Sequence, residues 1–134
     1  MRTLRAMALT GMAWLLLSSS ASSQTPTQGT DAEAGQQAFN NACRTCHTVR
    51  EGDNRQGPNL HRIIGRKAGS LPGYGYSSAM KEAGFAWDAD KLERFMATPD
   101  AVVSGNNMKP YSGLASADDR AKIIAFLQSG TAGQ

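Results

Sequence analysis

Cys43-Arg44-Thr45-Cys46-His47 contains both cysteines of the 134-residue chain and one of its two histidines. A disulfide between thiols three positions apart encloses so small a loop that it constrains the unfolded chain little. The pair therefore has another use. C-x-x-C-H is the attachment signature of c-type haem. Two thiols on adjacent turns can add to the two vinyl groups and form thioethers, and the next residue, His47, then lies beneath the ring with an imidazole for the iron. A redox dithiol prefers a βαβ setting, and no strand pattern surrounds these cysteines. A zinc site needs four ligands, which Cys43, Cys46, His47 and His61 could supply, but thioether attachment explains the loops and the export signal better. One covalent haem c, held through Cys43 and Cys46, accounts best for the rest of the chain.

Outward from the motif, the flanks are helical at one end and loop-rich at the other. Ala34, Ala38 and Ala42 recur every four residues with Phe39 beside them, and Thr30 with Glu33 has capping-box spacing. This predicts a helix over 31–42. From Val49 to Gly75 the chain is rich in Gly, Pro and Asn, which predicts a long loop, unusual in a compact domain unless it wraps something. Ser77 to Ala83 reads as a short helix. Asp88 caps another through Thr98, with Leu92, Phe95 and Met96 on one face and Pro99 ending it. Ser104 to Leu114 is a second Gly/Asn/Pro loop. Ser116 with Asp119 opens a last helix carrying Ile123, Ile124, Phe126 and Leu127 before Gly130. The pattern predicts an all-α fold of three to five helices whose long loops wrap the haem. The helices carry too few apolar residues to fill a core alone, and a domain this small buries little surface to begin with.

The second axial position separates an electron carrier from a ligand-binding haem. The candidates are Met80, Met96, Met108 and His61. Met96 sits at helical spacing with Leu92 and Phe95, as a core residue does, and Met80 falls in the short helix. His61 reads as a loop histidine. Met108 lies in Gly105-Asn106-Asn107-Met108-Lys109-Pro110, with no apolar neighbour to explain it, and is the expected ligand beside His47.

Arg2 and Arg5, the apolar stretch Ala6–Leu17 and the small residues Ser18–Ser23 follow the order of a secretory signal peptide. The apolar run is about a dozen residues, short of the roughly 20 needed to span a bilayer. The expected layout is a signal peptide over 1–23, a flexible leader over 24–30, one domain over 31–130 and a tail over 131–134. Export implies a periplasmic protein, and no stable membrane insertion is expected. The chain carries a formal charge of +3, and loss of Arg2 and Arg5 leaves 12 of its 14 basic residues against 11 acidic ones. No basic run remains to track a phosphate backbone, so nucleic acid is excluded as a partner.

The ordered set Gly35, Phe39, Cys43-x-x-Cys46-His47, Gly57-Pro58-Asn59-Leu60-His61, Gly65-Arg66-Lys67, Gly73-Tyr74-x-Tyr76, Gly84-x-x-Trp87, Leu92, Pro99, Met108 and Gly113-Leu114 resembles the class I cytochromes c, of the mitochondrial and bacterial c2 type. The likeness runs from Asp31 to Ser129. It implies an electron-transfer protein rather than an enzyme, a monomer passing single electrons between redox proteins such as a membrane cytochrome complex, a terminal oxidase or a periplasmic enzyme. It also implies that the Pro58 carbonyl accepts from His47 Nδ1–H, that Arg66, Tyr76 and Trp87 satisfy the buried haem propionates, and that Tyr74 closes that edge. Gly35 and Phe39 are expected to meet Ile123 and Phe126 where the terminal helices cross. The chain departs from the pattern at Phe95, where the family has a tyrosine, at Met80, where it has a polar residue, and after Met108, where the spacing to Gly113 is one residue longer. Ala42, Asp100, Ala101 and Asn107 stand where the mitochondrial proteins ring the haem edge with lysines.

Overall fold

The structure, a computed structural model, describes residues 28–130. The expected signal peptide, residues 24–27 and the C-terminal tail 131–134 lie outside the described residues. The order is α1 (Gln28–Ala42), α2 (Ser78–Lys81), α3 (Ala89–Ala97), α4 (Pro99–Val102) and α5 (Ala117–Gln128). Among the described residues there is no strand, only one isolated antiparallel bridge between Lys67 and Ala86.

Local chemistry explains most boundaries. Asp88 accepts from Lys91 N–H at 2.7 Å and caps α3. Ser116 accepts from Asp119 N–H at 3.1 Å and caps α5, and Ser77 accepts from Met80 N–H at 3.2 Å and caps α2. Two expectations differ from the structure. The first helix begins at Gln28 and takes in the last residues of the expected leader, so Thr30 lies inside it rather than capping it. Pro99 ends α3 and also opens α4, because a ring without an N–H costs nothing in a helix's first turn.

The terminal helices cross at Gly35, as the resemblance implied. A Cβ there would lie 2.7 Å from the Lys122 carbonyl oxygen and 2.8 Å from Phe126 Cβ. Phe39 and Phe126 meet with ring centroids 5.5 Å apart, and Ile123 beneath them is fully buried. Gly35→Ala is therefore expected to push two backbones apart and to destabilise the protein by about 2–3 kcal/mol, read as a lower denaturant midpoint. An unchanged midpoint would refute the close crossing.

α3 joins this pair through Arg120, whose guanidinium bonds Glu93 at 2.8 Å and the Leu114 and Ala115 carbonyls at 2.5 and 2.9 Å. The long loop 49–77 is ordered by pairing. Gly65 N–H donates to the Trp87 carbonyl at 2.7 Å, Trp87 N–H to Arg66 at 2.9 Å and Ala68 N–H to Phe85 at 2.9 Å. Trp87 is thereby held edge-on between Phe85 and Phe95, with centroids 4.9 and 5.0 Å away. The α2 residue Met80, the α3 face Leu92, Phe95 and Met96, and Ile123 and Leu127 of α5 converge on one cavity.

Candidate functional site

α1 ends where the attachment motif begins. Cys43 and Arg44 N–H both donate to the Phe39 carbonyl, and Cys46 and His47 N–H both donate to Cys43, at 3.1 and 2.9 Å. The motif is thus a tight turn closing the helix, which brings both sulfurs and the imidazole to the same wall. No disulfide joins the two cysteines. Burial first, and Cys46 second, would hold an unmodified Cys43 thiol up at about 11.

His47 is buried, and its Nδ1 lies 2.8 Å from the Pro58 carbonyl oxygen. Donation there leaves Nε2 with its lone pair free. Burial keeps this imidazole below its ordinary range, against a smaller opposing pull from the Pro58 bond. The loop that supplies Pro58 is tied back to the motif: Gly57 N–H donates to the Cys46 carbonyl at 2.8 Å, and Leu60 N–H to Thr48 at 2.7 Å. Gly57 lies flat against the imidazole. A Cβ on it would be 2.2 Å from His47 Cε1 and 2.6 Å from Nδ1.

These groups open onto a cavity of about 370 Å³, within the ~300–1,000 Å³ typical of cofactor sites. Its floor is apolar, with Leu60, Ile63, Leu92, Ile123 and Leu127 among the lining residues. Met108 lines it from the second Gly/Asn/Pro loop. Met80 and Met96 line it too, but both are buried helix residues packed into the core. Met108 is half-buried in a loop, its amide held at 2.9 Å by the Asn106 side chain. His61 is not among the lining residues. It lies on a surface depression with Glu51, Arg62 and Arg66, 3.9 Å from the Glu51 carboxylate.

Of the residues expected at the propionates, Tyr76 and Trp87 line the cavity. Arg66 stands one step behind them. Its guanidinium bonds the carbonyls of Asn59, at 2.7 Å, and His61, and faces the Tyr76 hydroxyl. Burial lowers Arg66 and raises Tyr76, while each partly offsets the other's shift. Tyr74 packs edge-on against Tyr76 at 4.7 Å, and its hydroxyl donates to the Gln56 carbonyl at 2.7 Å, closing the rim. Phe95 brings no hydroxyl to the cavity. Tyr111 does line it, but its hydroxyl is spent on the Met96 carbonyl at 2.6 Å. The chain after Met108 is pinned here as well. Leu114 N–H donates to the same Met96 carbonyl at 2.8 Å, and Gly113 passes so close to Ala97 that a Cβ would lie 2.2 Å from its oxygen.

The sequence reading missed Tyr111 and Asn106. Asn106 had a legible signal, since an asparagine two residues before a fixed amide is the pattern of an Asx turn. Two thiols, a lone imidazole nitrogen, a thioether and an apolar wall suit a porphyrin iron. No Asp or Glu is among the residues lining the cavity.

A family model described as "Cytochrome c" matches residues 32–131. The chain is 39% identical over 103 residues to "Cytochrome c" of Guizotia abyssinica, across 76% of this chain and 92% of that protein. It is 39% identical over 99 residues to "Cytochrome c-type cyt cy" of Rhodobacter capsulatus, across 74% of this chain but 49% of the longer relative. Among solved structures, "cytochrome cH from Methylobacterium extorquens" superposes with a TM-score of 0.67 at 36% identity, covering 74% of this chain and 98% of that one.

Proposed function

This chain belongs to the cytochrome c family, whose members are electron-transfer proteins and not enzymes, and from that premise we propose that it is a periplasmic single-electron carrier whose haem iron is held by His47 and Met108. The haem c is attached through Cys43 and Cys46. When bound, it supplies an iron that alternates between two oxidation states.

The chain's own residues restrict that chemistry to charge transfer. Pro58 fixes which nitrogen of His47 carries the proton and strengthens the other as a donor. Met108 offers a soft thioether, which favours the reduced metal and raises the potential. Tyr76, backed by the Arg66 guanidinium, and the indole of Trp87 would meet the acidic edge of the cofactor. The apolar lining would limit the access of water to it. With His47 and Met108 both holding the iron, no open position would be left for a substrate. The reading is carried by one observation: a single cavity is lined by both motif cysteines, by an imidazole oriented from behind, and by a loop methionine.

No helix among the described residues is long and apolar enough to cross a membrane. A signal peptide over 1–23 would fit export to the periplasm, where a membrane cytochrome complex, a terminal oxidase or a periplasmic oxidoreductase would exchange electrons with a monomer in brief encounters. The experiment that separates a carrier from a gas-binding haem is addition of carbon monoxide to the reduced protein. The spectrum is expected to stay unchanged. A rapid shift to a carbonyl spectrum would remove Met108 from the iron and the carrier reading with it.

A further inference from the structure

Asp100, in the first turn of α4, is an acidic residue at a place where the resemblance expects an exposed docking lysine. Its carboxylate faces the chain's own ligand loop. Oδ1 accepts from Asn106 Nδ2 at 2.8 Å and Oδ2 accepts from Lys109 Nζ at 2.6 Å. These two partners flank Met108 in sequence. Asn106 is 3% exposed and fully committed: Nδ2 also donates to the Val103 carbonyl at 2.9 Å, and Oδ1 accepts the Met108 amide at 2.9 Å. Val103 N–H in turn donates to the Pro99 carbonyl at 2.9 Å. An unbroken chain of hydrogen bonds thus runs from α4 to the backbone of Met108.

We propose that Asp100 is a positioning residue for the sulfur of Met108, a carboxylate staple that closes the ligand loop from outside by gripping Asn106 and Lys109 at once. The inference rests on Met108 being the iron ligand. The staple acts locally. Asp100 and Lys109 side chains are 58% and 53% exposed, so their ion pair adds little to global stability. Asn106 is interior, where a bond left unmade is costly and the loop must open for relief. Loosening the staple therefore favours the locally open loop over the globally unfolded chain, and it is the open loop that releases the sulfur.

The test is the rate at which imidazole replaces the sulfur in the oxidised holoprotein, read from loss of the weak sulfur-to-iron band at the red edge of the visible spectrum. At saturating imidazole that rate reports loop opening. Asp100→Ala is expected to raise it about tenfold, equivalent to about 1.4 kcal/mol, with little change in the unfolding midpoint. Asp100→Asn keeps an oxygen acceptor for Asn106, and Lys109→Gln keeps the Asn106–Asp100 bond, so both are expected between parent and alanine variant. An Asp100→Ala rate within a factor of about two of the parent would overturn the staple, provided Met108→Ala has lost the band. Retention of the band in Met108→Ala would overturn the ligand assignment and the staple together. If Asp100→Ala fails to fold with haem, the two milder variants decide, and parent-like rates in both would refute the proposal.

Discussion

Met108→Ala is expected to abolish the sulfur-to-iron band and to lower the reduction potential by on the order of 0.2 V, a fraction of the ~0.8 V that axial ligands command across haem proteins. The thioether is a soft donor that stabilises reduced iron more than oxidised iron. Water or a distant side chain in its place reverses that preference. The cavity contains two more methionines, Met80 and Met96, so the experiment has internal controls. Each is buried in a helix at 8% exposure. Met80→Leu and Met96→Leu preserve volume and are expected to cost less than about 1.5 kcal/mol, with the band intact. A redox titration of all three variants beside the parent checks the assignment. If Met96→Leu lost the band while Met108→Ala kept it, the ligand would be the helix residue.

Gly57→Ala should do comparable damage from the opposite wall. The new Cβ would lie within 2.2–2.8 Å of Cε1, Nδ1 and Nε2 of His47, three atoms of a rigid ring. Neither partner can step aside freely. Gly57 is held by its N–H to the Cys46 carbonyl at 2.8 Å and by its own carbonyl to Arg55 N–H at 3.0 Å, while the ring is held by Pro58. One methyl therefore displaces either the imidazole or the loop that orients it. The expected loss is more than about 3 kcal/mol of stability, at the severe end for a point change, together with a poor yield of haem-loaded protein. Denaturant unfolding and haem content per chain check it. A Gly57→Ala protein with parental haem content and midpoint would show that the ring has slack which the geometry denies it.

The loop that carries Met108 is anchored on both sides. Tyr111 and Leu114 both anchor on the Met96 carbonyl downstream, and Asn106 anchors upstream. The segment after Met108 is thus fixed before the chain reaches α5.

Much of this was legible in the chain read as text, because it depends on neighbours in sequence. Cys43, Cys46 and His47 announce the cofactor through spacing alone. Asp88 and Ser116 mark helix starts because a cap bonds a backbone three residues away. Met108 stood out as an apolar residue in a polar loop. What the tertiary structure alone decided involves groups far apart in sequence or unmarked by type. Arg66 sits behind Tyr76 rather than at the cavity wall, Asp100 reaches Asn106 in the loop that carries Met108, and Tyr111 spends its hydroxyl on a carbonyl 15 residues back. Spacing encodes what one turn of backbone can reach. Which exposed charge or hydroxyl finds a distant carbonyl depends on how the helices cross, and that crossing is set where Gly35 lets α1 settle onto α5.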